Sequence, residues 1–290
     1  SMACKGENTP SFEEVARRTA QLCMVAEQYA PELDSLCYVI GTEVPIPGGE
    51  TETIDTLQIT SPDSLDRTIE THIQAFKEKN LQAALSRIVS VVVQPGVDFS
   101  HTSVTQYSKS SAKKLVAQLS KYKDIAFEAH STDYQQTTGL ANLVADHHLF
   151  LKVGPELTFA LREALFLLAK IEDELFKDKA SNLIQVVFKT MDNNPKDWIN
   201  YYHGSIDEQQ FLKHYSYSDR IRYYWDHPDV NSAINKMIKN LDNIDLPEFV
   251  ISQFFGIATN EQNNETAHSL IKLRIQYVVD RYYNACGLDV

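Results

Sequence analysis

Four times along the first part of the chain, a short run of β-branched and other apolar residues gives way to turn residues and then to a segment of helical periodicity. The runs are Cys37-Tyr38-Val39-Ile40-Gly41-Thr42-Glu43, Ile88 to Val93, Ile125-Ala126-Phe127-Glu128-Ala129-His130-Ser131 and Leu149-Phe150-Leu151-Lys152-Val153. Strands that read as nearly unbroken apolar runs, alternating with helices, predict an α/β fold whose parallel sheet is covered by helices. An antiparallel sheet with one wet face would alternate apolar and polar residues instead.

The helical segments carry their own start signals. Ser11 with Glu14 makes an S-x-x-E pattern ahead of Val15, Thr19, Leu22, Cys23 and Ala26, and Pro10 sets the first turn. Ser61-Pro62-Asp63 precedes Leu65, Ile69, Ile73 and Phe76. Leu115, Val116 and Leu119 mark a further helix, residues 134–147 another, and Leu157, Leu161, Leu165, Leu168 and Ile171 a long amphipathic one. From Lys179 onward strand signals cease. Helical patterns run over Leu183 to Met191, Pro195 to Tyr202, Asp219 to Trp225, Val230 to Leu241 and Glu265 to Tyr283. The expected organisation is therefore a strand–helix part over 1–178 and a helical extension over 179–290.

The polar residues at the strand ends point to function. Glu43, Gln94, Glu128 with His130, and Lys152 stand at or near the carboxyl ends of the four successive strands. In a (β/α) barrel that face gathers the chemistry, because several strand ends converge on one pocket. Residues two apart on a strand share a face, so Glu128 and His130 point the same way. A His beside a carboxylate suits a general base or a metal ligand, with Glu43 as a companion ligand, and a Lys with a Gln suits a carbonyl or a phosphate. Each residue alone is more often an ordinary strand-end polar group; four ends together favour a site.

Further candidates are weaker. Gly154-Pro155-Glu156 opens a helix whose N–H groups suit a phosphate, although a plain strand-to-helix turn looks the same and Glu156 repels an anion. Arg220 and Arg222, within an aromatic-rich stretch from Tyr215 to Trp225, suit a sugar phosphate, or else an amphipathic helix docking its aromatic face. His147 and His148 are adjacent and would face opposite ways on a strand. No P-loop, G-x-G-x-x-G, H-E-x-x-H or G-x-S-x-G occurs, which argues against a kinase or simple nucleotide enzyme.

Charge and cysteine usage narrow the class. With 27 Lys+Arg against 39 Asp+Glu the formal charge is −12, which argues against a nucleic-acid binder. No apolar run approaches the roughly 20 residues of a bilayer span. The four cysteines, Cys4, Cys23, Cys37 and Cys286, have no metal-finger spacing and suit idle thiols in a reducing cytoplasm.

Several blocks together resemble a known family. They are Tyr38 to Pro45 with Pro47-Gly48-Gly49-Glu50, Val93-Gln94-Pro95-Gly96-Val97, Glu128 to Gln135, Leu151 to Pro155 with Leu157 to Ala164, and Ser218 to Trp225. In this order they are similar to the non-catalytic Z subunits of tagatose-1,6-bisphosphate aldolase, GatZ/KbaZ, over essentially the whole chain. The resemblance implies a TIM-type (β/α) barrel of the class II aldolase kind with a helical C-terminal region, in a cytoplasmic protein of galactitol or N-acetylgalactosamine breakdown. It implies association with a separate zinc-dependent catalytic subunit, whose stability and full activity depend on the Z subunit, while the Z subunit alone shows no aldolase activity. The complex cleaves tagatose 1,6-bisphosphate to dihydroxyacetone phosphate and glyceraldehyde 3-phosphate. An older name for such proteins, tagatose-6-phosphate kinase, sits badly with the missing phosphate-binding loop.

One departure stands out. In family members the segment resembling Ser1 to Gly6 follows the fourth barrel strand, and a Gly-Gly-Asp-His-type block lies upstream. The expectation is thus the second half of a barrel, in a chain cut at its amino end. An alternative function is open: some relatives act as metal-dependent C4-epimerases between fructose and tagatose 6-phosphates, and Glu43, Glu128, His130 and Lys152 with a divalent Zn or Mg ion suit such chemistry.

Overall fold

Several helix starts in this protein are fixed by hydroxyl caps. The computed structural model describes residues 10–30, 32, 36–42, 57–256 and 266–288. Helix α1 (Phe12–Tyr29) begins where the Ser11 side chain accepts the Glu14 N–H, and the Glu14 carboxylate pairs with Arg17 and Arg18. Helix α2 (Pro62–Glu78) begins likewise at Ser61, with Pro62 in the first turn where no N–H is needed.

The chain divides into two compact units. The first takes the described residues of Ser1–Phe99, Val104–Val153 and Asn284–Asp289; the second takes those of Ser100–Ser103 and Gly154–Tyr283. Besides α1 and α2, which flank β1 (Tyr38–Ile40) in the chain, the first unit holds α3 (Gln82–Leu85), β2 (Ile88–Val93), a hairpin of β3 (Asp98–Phe99) and β4 (Val104–Thr105), α4 (Lys109–Gln118), β5 (Ala126–Ala129), α5 (Thr137–Ala145) and β6 (His148–Leu151). The sheet expected from the alternation is present, four parallel strands in the order β1-β2-β5-β6, and it follows chain order. The small antiparallel hairpin was not expected; its strands of two residues each are too short to leave a periodicity.

Lateral register explains the core. Ile40, Val91 and Phe127 are partners across three strands and are buried together, packing with Leu65, Ile69 and Phe76 from α2. Each such side chain contributes about 1.5–3 kcal/mol on burial. Asp66 on the wetter side of α2 accepts bonds from Gln118, Lys121 and Tyr122, tying α2 to the end of α4. Gly41, just past β1, has no room for a side chain, since an added Cβ would lie 2.7 Å from Val92 Cβ. Both edge strands carry exposed apolar residues, Val39 on β1 and Leu149 and Phe150 on β6. Cys23 is a buried thiol, Cys37 and Cys286 are exposed, and Cys4 lies outside the described residues.

The second unit is helical: α6 (Pro155–Phe176), α7 (Leu183–Asn193), α8 (Ile206–Tyr215), α9 (Pro228–Asp242), α10 (Glu248–Phe255) and α11 (Ala267–Ala285, whose last residues fall in the first unit). Its core gathers Leu165, Leu168, Val187, Met191, Val230 and Met237. Two segments differ from the sequence expectation. Asp219 to Trp225 forms a 3₁₀ turn at Ile221–Tyr223 rather than a helix, because Asp219 turns fully inward to accept from Arg162 at 3.2 Å and from the Ile221 N–H at 3.1 Å. Pro195 to Tyr202 is a 3₁₀ turn at Pro195–Asp197, where Trp198 donates to the Met191 carbonyl instead of continuing a helix. Helices α8 and α10 were not foreseen, though α8 has a full Ser205/Glu208 capping box. No described helix is long and apolar enough to cross a membrane.

His148 tests this packing. It is completely buried, donates Nδ1–H to the Leu143 carbonyl at 3.1 Å, and leaves Nε2 with no partner beside Phe127 and Tyr107. Burial pushes its pKa from 6.5 down to about 4. As pH falls from 6.5 to 4 the unfolded chain takes up a proton that the folded chain refuses, so stability drops across that window by up to about 3 kcal/mol. Denaturant melts from pH 7 to 4 should show this slope, and a His148→Phe variant should flatten it. An unchanged slope in the variant would refute the assignment.

Candidate functional site

Among the strand-end residues the structure brings three together. Glu128 lies in β5 between Val92 of β2 and Phe150 of β6, and its carboxylate is nearly buried. His130, two residues on, places Nε2 2.8 Å from Glu128 Oε1, as the strand period requires. Lys152, one residue past β6, brings Nζ to 3.2 Å from the same oxygen. The ladder extends to hold it there: Lys152 N–H donates to the Ala129 carbonyl at 2.9 Å, and the Lys152 carbonyl accepts from the N–H and hydroxyl of Thr132. One carboxylate oxygen therefore faces an imidazole and an ammonium.

The exposure gradient gives this cluster a direction. Glu128 is 6% exposed, His130 28% and Lys152 59%, so the anion lies at the base and the two nitrogen groups face outward. Since a carboxylate only accepts, the His130 Nε2 carries a proton toward Glu128, which leaves Nδ1 as the nitrogen free to accept one in the neutral ring. Such a pair can take a proton from a bound molecule, with Glu128 stabilising the imidazolium that forms. Lys152 adds a mobile point charge suited to a phosphate or a polarised carbonyl.

The loop after β5 is held in shape by residues to which the sequence pattern assigns no role. Ser131 and Tyr134 both adopt left-handed backbone, at φ 53° and 61°. Such conformations persist only where the surroundings fix them. Gln135 does so from a fully buried position: its carbonyl oxygen accepts the Tyr107 N–H and its amide donates to the Thr105 carbonyl. Gln106 accepts from Gln136 N–H and donates to the Tyr134 carbonyl, and Tyr134 stacks edge-on against Phe99. Thr132 and Gln135 both fall in the Glu128-to-Gln135 block, but their partners lie about 20–30 residues away along the chain.

The other candidates stand apart in role. Gln94 follows β2, and its side-chain oxygen accepts from the N–H groups of Gly96 and Val97, so it shapes the turn after the strand. Glu43 lies outside the described residues; its neighbour Thr42 bonds Thr68 at 2.9 Å. In the second unit, Gly154 is the N-cap of α6, and Glu156 in the first turn is paired with Arg281. Arg220 is 5% exposed, with Nε donating to the Asp197 carbonyl and its guanidinium over the rings of Tyr201 and Tyr223. Arg222 is more open and reaches the Tyr223 hydroxyl at 3.3 Å.

For a metal, the sequence offers His130 and Glu43 as ligands. Among the described residues no three His, Cys, Asp or Glu side chains converge as a metal-binding group, and the Nε2 of His130 is committed to Glu128. The described residues do not by themselves form a ligand set, and no step through a metal follows from them.

Comparison with known proteins gives a consistent picture. The family model described as D-tagatose-1,6-bisphosphate aldolase subunit GatZ/KbaZ-like matches residues 1–287. The chain is similar to the D-tagatose-1,6-bisphosphate aldolase subunit GatZ of Salmonella paratyphi B (strain ATCC BAA-1250 / SPB7), 44% identical over all of this chain and 70% of that protein. The GatZ of Salmonella enteritidis PT4 (strain P125109) is 42% identical over the same shares. Among solved structures, that of a probable tagatose 6 phosphate kinase from Sinorhizobium meliloti 1021 superposes with a TM-score of 0.88 at 40% identity, over 99% of this chain and 71% of that one.

With Glu128 at the base of the cluster, Glu128→Gln should cost about 1.5–3 kcal/mol in urea denaturation, the range for hydrogen bonds to charged groups. Lys152→Met, at a largely exposed ammonium, should cost under about 1 kcal/mol. Equal and negligible effects would mean that Glu128 does not organise the site.

Proposed function

Because the chain belongs to the GatZ/KbaZ-like family of D-tagatose-1,6-bisphosphate aldolase subunits, we propose that it serves as the non-catalytic subunit of that aldolase, required for the stability and full activity of a class II catalytic subunit in tagatose 6-phosphate breakdown. The observation that carries this reading is the 44% identity to a named GatZ across the entire chain. The epimerase alternative is not favoured, since the relatives described above bear the aldolase-subunit name.

The finer fold belongs to the same reading. Four parallel strands in chain order, each followed by a helix, are what the second half of a TIM-type barrel provides, with 1–178 as that half and 179–290 as its helical extension.

We keep Glu128, His130 and Lys152 as the residues that meet a sugar phosphate, with Lys152 drawn to the phosphate and His130 to a hydroxyl, and Gln94 as the shaper of the adjoining loop. Gly154, Arg220 and Arg222 are the corresponding candidates in the second unit. The catalytic partner and a cytoplasmic location are part of the proposal, as is service in galactitol or N-acetylgalactosamine breakdown.

Co-expression tests it. With the chain present, the class II catalytic subunit should survive longer at assay temperature and cleave tagatose 1,6-bisphosphate with higher specific activity, while the chain alone cleaves none. No change in either half-life or specific activity would overturn the reading.

A further inference from the structure

In the second unit, the turn from Ser218 to Tyr223 carries two guanidinium groups that are not paired with acid. Arg220 is only 5% exposed. Its Nε donates to the Asp197 carbonyl at 2.6 Å, and its Cζ lies 3.6 Å from the centre of the Tyr201 ring and 4.6 Å from that of Tyr223. The Cζ of Arg222 lies 5.0 Å from the same Tyr223 ring, and its Nη2 donates to the Tyr223 hydroxyl oxygen at 3.3 Å. Among the described residues, no carboxylate comes within ion-pair distance of either guanidinium. The acids nearest in the turn are otherwise engaged: Asp219 accepts from Arg162 and from the Ile221 N–H, and Asp197 meets Arg220 through its carbonyl.

Packing alone leaves this arrangement incomplete. A buried charge is costly unless it is paired, and ring faces, though they attract a cation, accept none of the N–H bonds in the guanidinium plane. Among the described residues Nη1 and Nη2 of Arg220 have no acceptor, and they are not sealed from solvent. With Nε spent on a carbonyl, that Nη edge is what the residue still presents. The Tyr223 hydroxyl accepts from Arg222 and so keeps its own proton to donate. The backbone holds these donors in place: the Tyr202 hydroxyl accepts the Arg220 N–H at 3.1 Å and donates to the Ser218 carbonyl at 2.9 Å. Two positive forks and a phenol O–H, set beforehand, suit a ligand with two negative charges and several oxygens, which a phosphate has and a single carboxylate lacks. A nucleic-acid backbone would meet the net charge of −12; one phosphate group on a small molecule meets only this turn.

We infer that Arg220, Arg222 and the Tyr223 hydroxyl form an anion site that takes one dianionic phosphate, free or as the monoester of a small molecule. This deepens the sugar-phosphate reading given above, on which it rests for the ester, by naming the group that these residues hold.

Calorimetry on the full chain tests it, with inorganic phosphate and fructose 6-phosphate as probes. Tighter binding of the sugar phosphate makes the ligand an ester, and equal affinity makes it the free anion; either result supports the site. Arg220 also holds the Asp197 carbonyl, so the deciding variants are those of its neighbours. Arg222→Met should weaken binding at least about tenfold, and Arg222→Lys by less, since the charge stays while the fork is lost. Tyr223→Phe, which keeps the ring and removes only the O–H, should weaken it about threefold. All three should melt within about 2 °C of the parent. A parent chain that binds neither probe overturns the inference, while the subunit reading is judged separately by co-expression. Binding that survives Arg222→Met and Tyr223→Phe but is lost in Lys152→Met puts the phosphate at the strand-end cluster and also overturns it. So does a fall of more than about 5 °C in the melting temperature of Arg222→Met with the phosphate affinity of Tyr223→Phe unchanged, because the pair would then serve packing.

Discussion

Parallel strands cannot join through a tight turn, and this constraint orders the first unit. Each strand must return through a crossover, and the crossovers supply the helices that bury one face of the sheet. The lateral row of Ile40, Val91 and Phe127 is where that requirement is met, with α2 laid over it. A parallel direction also places every strand's carboxyl end on the same side. His130 and Lys152 can therefore meet one oxygen of the Glu128 carboxylate, although nothing local in the sequence joins Lys152 to the other two.

The second unit depends on a different device, buried charge given partners inside the fold. Arg162 and Asp219 are both almost completely buried and face each other, while Glu172, also buried, accepts from the Ser181 N–H and hydroxyl and from Asn240. Removing one member of a buried ion pair generally costs about 3–5 kcal/mol, because the other is stranded. Such contacts fix where helices stop. Arg220, held by the Asp197 carbonyl and two tyrosine rings, continues the same turn.

The sequence was most legible where the determinants are local. Ile88 to Val93 is a strand over the full range its β-branched run suggested, and Ser11 and Ser61 cap the helices they precede. The shared face of Glu128 and His130 follows from a spacing of two. Legibility failed where a partner lies far along the chain. Asp219 to Trp225 reads as a helix until Arg162, 57 residues before Asp219, draws that carboxylate inward. Gln94 reads as a free strand-end amide until its oxygen is seen on the next turn, and Gln135 gives no hint that it braces the site loop from a buried position. Pattern reasoning sees periodicity and caps; it does not see which polar atoms satisfy one another across the fold.

The exposed apolar residues on β1 and β6 bear on how the molecule behaves in concentrated solution. Val39, Leu149 and Phe150 sit on strands with no Lys or Pro to discourage a neighbouring chain. What opposes such sticking is long-range repulsion from a net charge of −12, with a sequence isoelectric point near 5.2. That repulsion reaches only about 8 Å at physiological ionic strength. A rise in salt, or a fall in pH toward that isoelectric point, therefore weakens what keeps these strands from a neighbouring chain.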